Sequence, residues 1–272
     1  MDSLFVHCTS KMEQLLSLFV IGGGLLLIIF TLTWMVQLKT RNASIVDTIW
    51  SASFPLLASI YFLLVDGFVP RQLIILFMVV IWGTRLALYL LSRTIGQPED
   101  ARYTALRREW GKNENILMLR FYYFQAGLAL LLSLPFALIN LNTTKSLLVI
   151  EWLGAGLWLI AVMGESLADS QLKKFKAEAG NKGKVCDAGL WYYSRHPNYF
   201  FEWLIWVSYF IFSLGSSWGF LTVICPLLML YFLLKVTGIR YTEAQSLKSR
   251  GAAYEIYQKT TSPFVPWLKK KA

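Results

Sequence analysis

The chain has 272 residues, 56% of them hydrophobic and 15% aromatic, against only 15% charged residues and a formal net charge of +10. A mean hydropathy of +0.50 is too high for a water-soluble core-and-surface domain and indicates a polytopic membrane protein. The positive excess does not point to nucleic acid: the cations sit in loops beside apolar stretches, where they orient spans and attract anionic headgroups.

Seven stretches long enough to cross a bilayer, at about 20 residues each, are predicted at 14–38, 44–65, 72–91, 116–139, 147–167, 199–216 and 218–237. The first has an apolar core from Leu15 to Trp34, longer than a signal h-region and followed by no small-residue cleavage site, so it is expected to remain as a span. Lys39 and Arg41 follow span one; Arg93, Arg102, Arg107, Arg108 and Lys112 follow span three; Lys173, Lys174, Lys176, Lys182, Lys184 and Arg195 follow span five. The tail adds Arg240, Lys248, Arg250, Lys259, Lys269, Lys270 and Lys271, whereas the opposite loops hold only Lys11, Arg71 and Lys145. This alternation predicts an all-α protein of seven transmembrane helices with the N-terminus outside and the C-terminus cytoplasmic.

No repeat interrupts the chain, which is expected to form one membrane-embedded domain over 1–272 with cytoplasmic segments at 168–198 and 238–272 facing a cofactor. The three cysteines, Cys8, Cys186 and Cys225, lack metal-ligand spacing, and His7 is too isolated to join His196, so neither a disulfide framework nor a metal site is expected.

In that topology several ionisable residues fall near one depth: Asp47 in span two, Arg85 in span three, Glu165 and Asp169 at the inner end of span five, Glu202 at the inner start of span six. Tyr89 lies one turn from Arg85 and shares its face, and Arg120, Tyr122, Tyr123 and Gln125 begin span four at the same level. Such groups are costly in hydrocarbon and mark either helix pairing, Asp47 with Arg85 for instance, or a functional chamber. Glu151 lies at the other end of span five.

The run 189–202 carries Trp191, Arg195, His196, Asn198, Tyr199 and Glu202 directly into an apolar helix. Pro197 suits the first helical turn, so that helix is expected to start there. Tyr241, Ala244, Leu247, Gly251 and Tyr254 recur at helical spacing and predict an amphipathic helix that either caps the chamber, presenting Glu243 and Tyr254, or lies on the membrane. Arg102, Arg107 and Arg108 follow a turn signal at Pro98, and their guanidinium groups match phosphate oxygens.

These residues resemble a known pattern. Gly189-Leu190-Trp191 through Pro197-Asn198-Tyr199 and Glu202, with Tyr254-x-x-Tyr257 before Pro263, resemble the C-terminal half of the steroid 5-alpha-reductase family. Val46-Asp47-x-x-Trp50, Arg85, Glu99-Asp100-x-Arg102-Tyr103, Thr237-Gly238 and Lys248-Ser249-Arg250-Gly251 resemble its bacterial-type, uncharacterised branch. The resemblance implies a seven-helix reductase that takes NADPH from the cytoplasm and reduces a carbon–carbon double bond conjugated to a ketone in a lipid such as a 3-oxo-4-ene steroid. It implies cofactor contacts by Arg85, Asp169 and Asn198, to which the local chemistry adds Arg102, Arg195, His196, Tyr199, Glu243 and Tyr254. Where relatives of the steroid enzymes carry a Gln-Glu pair and a tyrosine for the substrate ketone, this chain has Asp47 and Trp82, a departure that bears on substrate choice.

Hydride delivery beta to a carbonyl creates an enolate, which needs a donor at its oxygen in a dry pocket. Asp47 held protonated by burial is one expected donor; Tyr89 and Tyr123 are the others. Trp50 and Trp82, with Glu202, are expected to line the substrate region, and membrane lipid surrounds the whole. The segment Arg195-His196-Pro197-x-Tyr199 is also similar to isoprenylcysteine carboxyl methyltransferases and phospholipid methyltransferases, which implies S-adenosylmethionine as the alternative cofactor. Phosphate-compatible arginines favour NADPH, because the methyl donor carries no phosphate.

Overall fold

A computed structural model describes residues 2–236 and 238–270, with side chains from Ser10 onward. Thr237, Lys271 and the side chains of His7 and Cys8 lie outside the described residues. The described chain is helical, with a single isolated β-bridge between Ser194 and Ser262. It divides into two compact units, Met1–Leu147 with Gly215–Gly219, and Leu148–Leu214 with Phe220–Ala272.

The first unit holds α1 (Asp2–Thr40), α2 (Ile45–Leu64), α3 (Val69–Thr94), α4 (Ala101–Trp110), α5 (Glu114–Leu132) and α6 (Leu134–Asn140). Helix α1 buries Leu18, Leu26 and Phe30 while leaving Leu16, Val20, Leu27 and Ile28 exposed. An outward apolar face of that kind is what lipid contact requires. Helices α2 and α3 pack closely because Gly83 has no side chain: a Cβ there would lie 2.6 Å from Pro55 Cδ. Pro135 ends the regular hydrogen bonding of α5 and starts α6 after Ser133, whose hydroxyl bonds Tyr61 at 2.9 Å. Arg71, expected in an outer loop, is fully buried and donates to the carbonyls of Asn142, Thr144 and Ser146. It ties a loop rather than decorating one, since a buried guanidinium must satisfy its donors.

The second unit holds α7 (Val149–Ala177), α8 (Leu190–Tyr193), α9 (Pro197–Ser213), α10 (Ile224–Tyr231), α11 (Ile239–Arg250) and α12 (Ala252–Thr260). Helix α7 begins with Glu151 accepting from the Leu148 amide at 2.7 Å, a carboxylate at the positive helix end. Its main partner is α9. Helix α9 starts at Pro197 after the non-helical His196, as the sequence predicts. The single amphipathic helix expected near 241–254 is two helices, because Gly251 takes a φ of 51° and turns the chain between them.

Among the described residues, six helical stretches are long and apolar enough to cross a membrane: Ser10–Thr40, Ile45–Leu64, Val69–Thr94, Ala101–Asn140, Val149–Ala177 and Gly219–Arg250. The span expected at 199–216 is α9, whose 17 residues reach only about 25 Å, short of a hydrocarbon core of about 30 Å.

Candidate functional site

In the first unit the loop after α3 is bound to the start of α2 by charge. Glu99 Oε1 accepts from the Ala43 amide at 2.7 Å, and the Asp100 amide donates to Ser44 Oγ at 2.8 Å. Asp100 then caps α4, accepting from the Arg102 amide at 2.9 Å and from its Nε at 3.0 Å. Burial alone would lift the Asp100 carboxyl, but the Arg102 bonds and charge outweigh it and hold the group below the ordinary carboxylate range.

Asp47 meets this loop. Arg102 Nη2 donates to Asp47 Oδ2 at 2.9 Å and Tyr103 Oη donates to Oδ1 at 2.6 Å. Its two described partners are thus Arg102 and Tyr103, not the Arg85 envisaged from sequence, and both contacts use Asp47 as an acceptor. Arg107 is similarly engaged, with Glu99 at 3.0 Å, Gln37 at 2.6 Å and Glu114 at 3.6 Å. Two of the three arginines expected to match phosphate, Arg102 and Arg107, are therefore held against carboxylates of their own unit, while Arg108 is exposed.

On α3, Arg85 and Tyr89 are half-buried and one turn apart, with the Arg93 guanidinium 5.7 Å from the Tyr89 ring centroid. Trp82 is fully buried and packs through Phe54, at 5.4 Å, toward Trp50, which lies 4.7 Å from Phe54 edge-on. Phe136 closes the same cluster at 6.4 Å. The Trp50 indole N–H and the Thr48 hydroxyl are buried with no hydrogen-bond partner among the described residues. Arg120 and Tyr123, expected to line a chamber, are exposed, and Tyr123 bonds Thr31 at 2.9 Å. Tyr122 alone of that group turns inward, donating to the Ala43 carbonyl at 3.0 Å.

In the second unit the start of α9 gathers most of the predicted cofactor residues. Arg195 is 8% exposed. Its Nε donates to Glu243 Oε1 at 2.6 Å, and its Nη1 donates to the carbonyls of Gln258 at 2.8 Å and Thr261 at 2.5 Å. Glu243 also accepts from Gln258 Nε2 at 2.9 Å and meets His196 Nε2 at 3.3 Å. Burial pushes the His196 pKa below its ordinary value against the opposing pull of Glu243, with Arg195 adding to the fall. The ring is neutral at pH 7, so Nε2 carries the proton that Glu243 accepts.

Tyr199 stacks on His196 at 5.4 Å with planes 4° apart, and its hydroxyl lies 3.2 Å from Thr242 Oγ1. The Arg195 amide donates to Ser262 at 2.8 Å, which straps the tail beside residues 193–195. Tyr254 is buried against the Tyr257 ring at 5.8 Å. Truncating one member of a buried ion pair leaves the other unpaired and typically costs about 3–5 kcal/mol, so Arg195 and Glu243 act first as the clasp between α11 and the link that leads into α9.

Beside the clasp, Asn198 Nδ2 donates to Asp169 Oδ1 at 3.3 Å. Its carboxamide oxygen is buried with no partner among the described residues. A buried acceptor left open is expensive unless a ligand or water completes it. One turn further along α9, Glu202 accepts from Trp206 Nε1 at 3.1 Å. No group of three metal-ligating side chains occurs among the described residues.

Of the predicted set, Arg195, His196, Tyr199 and Glu243 meet in the second unit, as do Asp169 and Asn198; Asp47 and Arg102 meet in the first. Sequence reasoning missed Tyr103, Gln258 and Thr242 as partners. Only Tyr103 carried a local signal, its place after the Asp100 cap.

The family described as a protein of unknown function (DUF1295) matches residues 33–261. An uncharacterized protein of Schizosaccharomyces pombe is 28% identical over 283 aligned residues, covering 92% of this chain and 80% of that protein. No solved structure matches.

Proposed function

The chain belongs to the DUF1295 family, which includes steroid 5-alpha-reductase-like proteins, and from that premise we propose an NADPH-dependent membrane reductase acting on a lipid whose carbon–carbon double bond is conjugated to a ketone. The observation that carries the reading is the open, buried carboxamide oxygen of Asn198 beside Asp169. When bound, NADPH would supply a hydride to the carbon beta to the ketone. An acceptor such as Asn198 Oδ1 suits a carboxamide or amino N–H of that cofactor, and Asp169, by accepting from Nδ2, orients the oxygen toward it. The clasp of Arg195, His196 and Glu243 fixes the backbone from which Asn198 projects, in the first turn of α9. Asp47 accepts from both Arg102 and Tyr103, which weighs against it as the donor to the enolate oxygen.

The proposal includes α9 as a seventh, short span. Its 17 residues stand at the low end of the roughly 17–25 that cross a bilayer, and local thinning accommodates short spans. With seven spans the loop cations after spans one, three and five face the cytoplasm together with the C-terminus.

One finding favours a second reading, an S-adenosylmethionine-dependent membrane methyltransferase. Arg102 and Arg107 are already paired with Asp47, Asp100, Glu99 and Glu114, which weakens the electrostatic argument for a phosphate-bearing cofactor and leaves Arg108 as its exposed member. Thermal shift of the purified chain in detergent separates the two. NADPH is expected to raise the melting temperature more than NADH, with no response to S-adenosylmethionine. Asn198→Ala is expected to weaken NADPH binding by about tenfold, the loss of one buried hydrogen bond. A shift with the methyl donor alone selects the second reading.

A further inference from the structure

The second unit contains a cavity of about 340 Å³ that the reductase reading does not use, lined by Lys176, Lys182, Lys184 and Arg250 together with Glu178 and Asn181. Its floor is a short turn after α7. Asn181 Nδ2 donates to the Phe175 carbonyl at 3.1 Å and to Glu178 Oε2 at 2.7 Å, which holds the turn and occupies the one carboxylate present. Across it, Arg250 is fixed by donating from Nε to the Lys184 carbonyl and from Nη1 to Ser246 Oγ, both at 3.0 Å. Lys182 and Lys184 are exposed and have no carboxylate partner among the described residues.

Cations at helix ends often do no more than offset the helix dipole, and Lys176 and Arg250 sit in the last turns of α7 and α11. Lys182 and Lys184 lie beyond α7, where that explanation does not reach. Even without Lys176, the three full positive charges of Lys182, Lys184 and Arg250 outweigh one carboxylate and two helix ends worth about half a charge each. The surplus is concentrated around a concave volume at the low end of the roughly 300–1,000 Å³ typical of ligand sites, and like charges so placed repel until an anion joins them. Because α7 is a candidate membrane span ending at Ala177, the cavity sits where a span gives way to polar surroundings.

The geometry points to a phosphate-binding site in this cavity, in which the Arg250 guanidinium and the amines of Lys176, Lys182 and Lys184 take the oxygens of a phosphate group, free in solution or carried on a lipid headgroup. It stands apart from the cofactor reading and uses neither Asp169 nor Asn198.

Amine acetylation followed by mass spectrometry, on the full chain in nanodiscs, tests it. With phosphatidylcholine discs, inorganic pyrophosphate is expected to slow labelling of Lys182 and Lys184 by about tenfold, as charge-assisted hydrogen bonds cover the amines. Lys173 and Lys174, on α7 but outside the cavity, serve as internal controls. Discs containing phosphatidylglycerol, without pyrophosphate, form the second arm. Protection in the first arm supports a soluble phosphate as occupant, protection in the second supports a headgroup, and protection in both supports the shared chemistry. Lys176→Gln and Arg250→Gln, each folded by thermal melt, are expected to restore labelling of Lys182 and Lys184. Absence of protection in both arms, or equal protection of Lys173 and Lys174, overturns the site.

Discussion

Asn198 and His196 stand two positions apart and differ in what completes them. The imidazole is satisfied within the protein, stacked by Tyr199 and bonded to Glu243; the carboxamide oxygen two residues later is not. For His196 the consequence is a pH dependence of stability. An unfolded histidine titrates near 6.5, and burial holds the folded one lower. Below about 6.5 the unfolded chain therefore binds more protons, so stability is fully present above that pH and is lost as pH falls through the folded value. Melting between pH 7 and pH 5 should show a decline that His196→Asn flattens; parallel curves for the two proteins would refute the assignment. The same residues show why site prediction from sequence is partial. Arg195 is recognisable as important, yet its link to Glu243 joins positions 48 apart, and no local pattern specifies that partner.

At the scale of helices, close approach rather than propensity sets the pairings. Pro55 lies inside α2 and faces Gly83 on α3, so the two backbones meet only because one of them lacks a Cβ. Gly83→Ala is expected to destabilise the first unit by about 1–3 kcal/mol through overpacking, read as a lower melting temperature in detergent. Gly127→Ala is the matched control, since nothing lies within 4 Å of its added Cβ. Equal melting temperatures for the two variants would show that α2 and α3 separate without penalty. A helix start was legible where proline announced it, as at Pro197, whereas the Asp100 cap of α4 was not read from the sequence, where only a turn at Pro98 was signalled. The division of the last amphipathic segment at Gly251 was not legible either, because glycine at helical spacing reads equally as an interior position until its φ is known.

For the whole molecule, span number decides where the ends lie. Six spans return both termini to one side, whereas the proposed seven, with α9 as the short one, place them on opposite sides. Reporter tags at each terminus, active on one side only, should give opposite signals; matching signals would remove α9 from the membrane and with it the assigned orientation. The all-helical, membrane-embedded character was determined by sequence alone, because length and hydropathy along a segment suffice to require backbone hydrogen bonding within a helix in lipid. Tertiary structure alone decided which charges meet. Arg102 had phosphate, Asp100 and more distant carboxylates as chemically equivalent partners, and only the folding of the loop onto α2 brings Asp47, 55 positions away, to 2.9 Å. A charge has no preference among equal partners until the chain sets their distances, and that distance is a property of packing rather than of residue order.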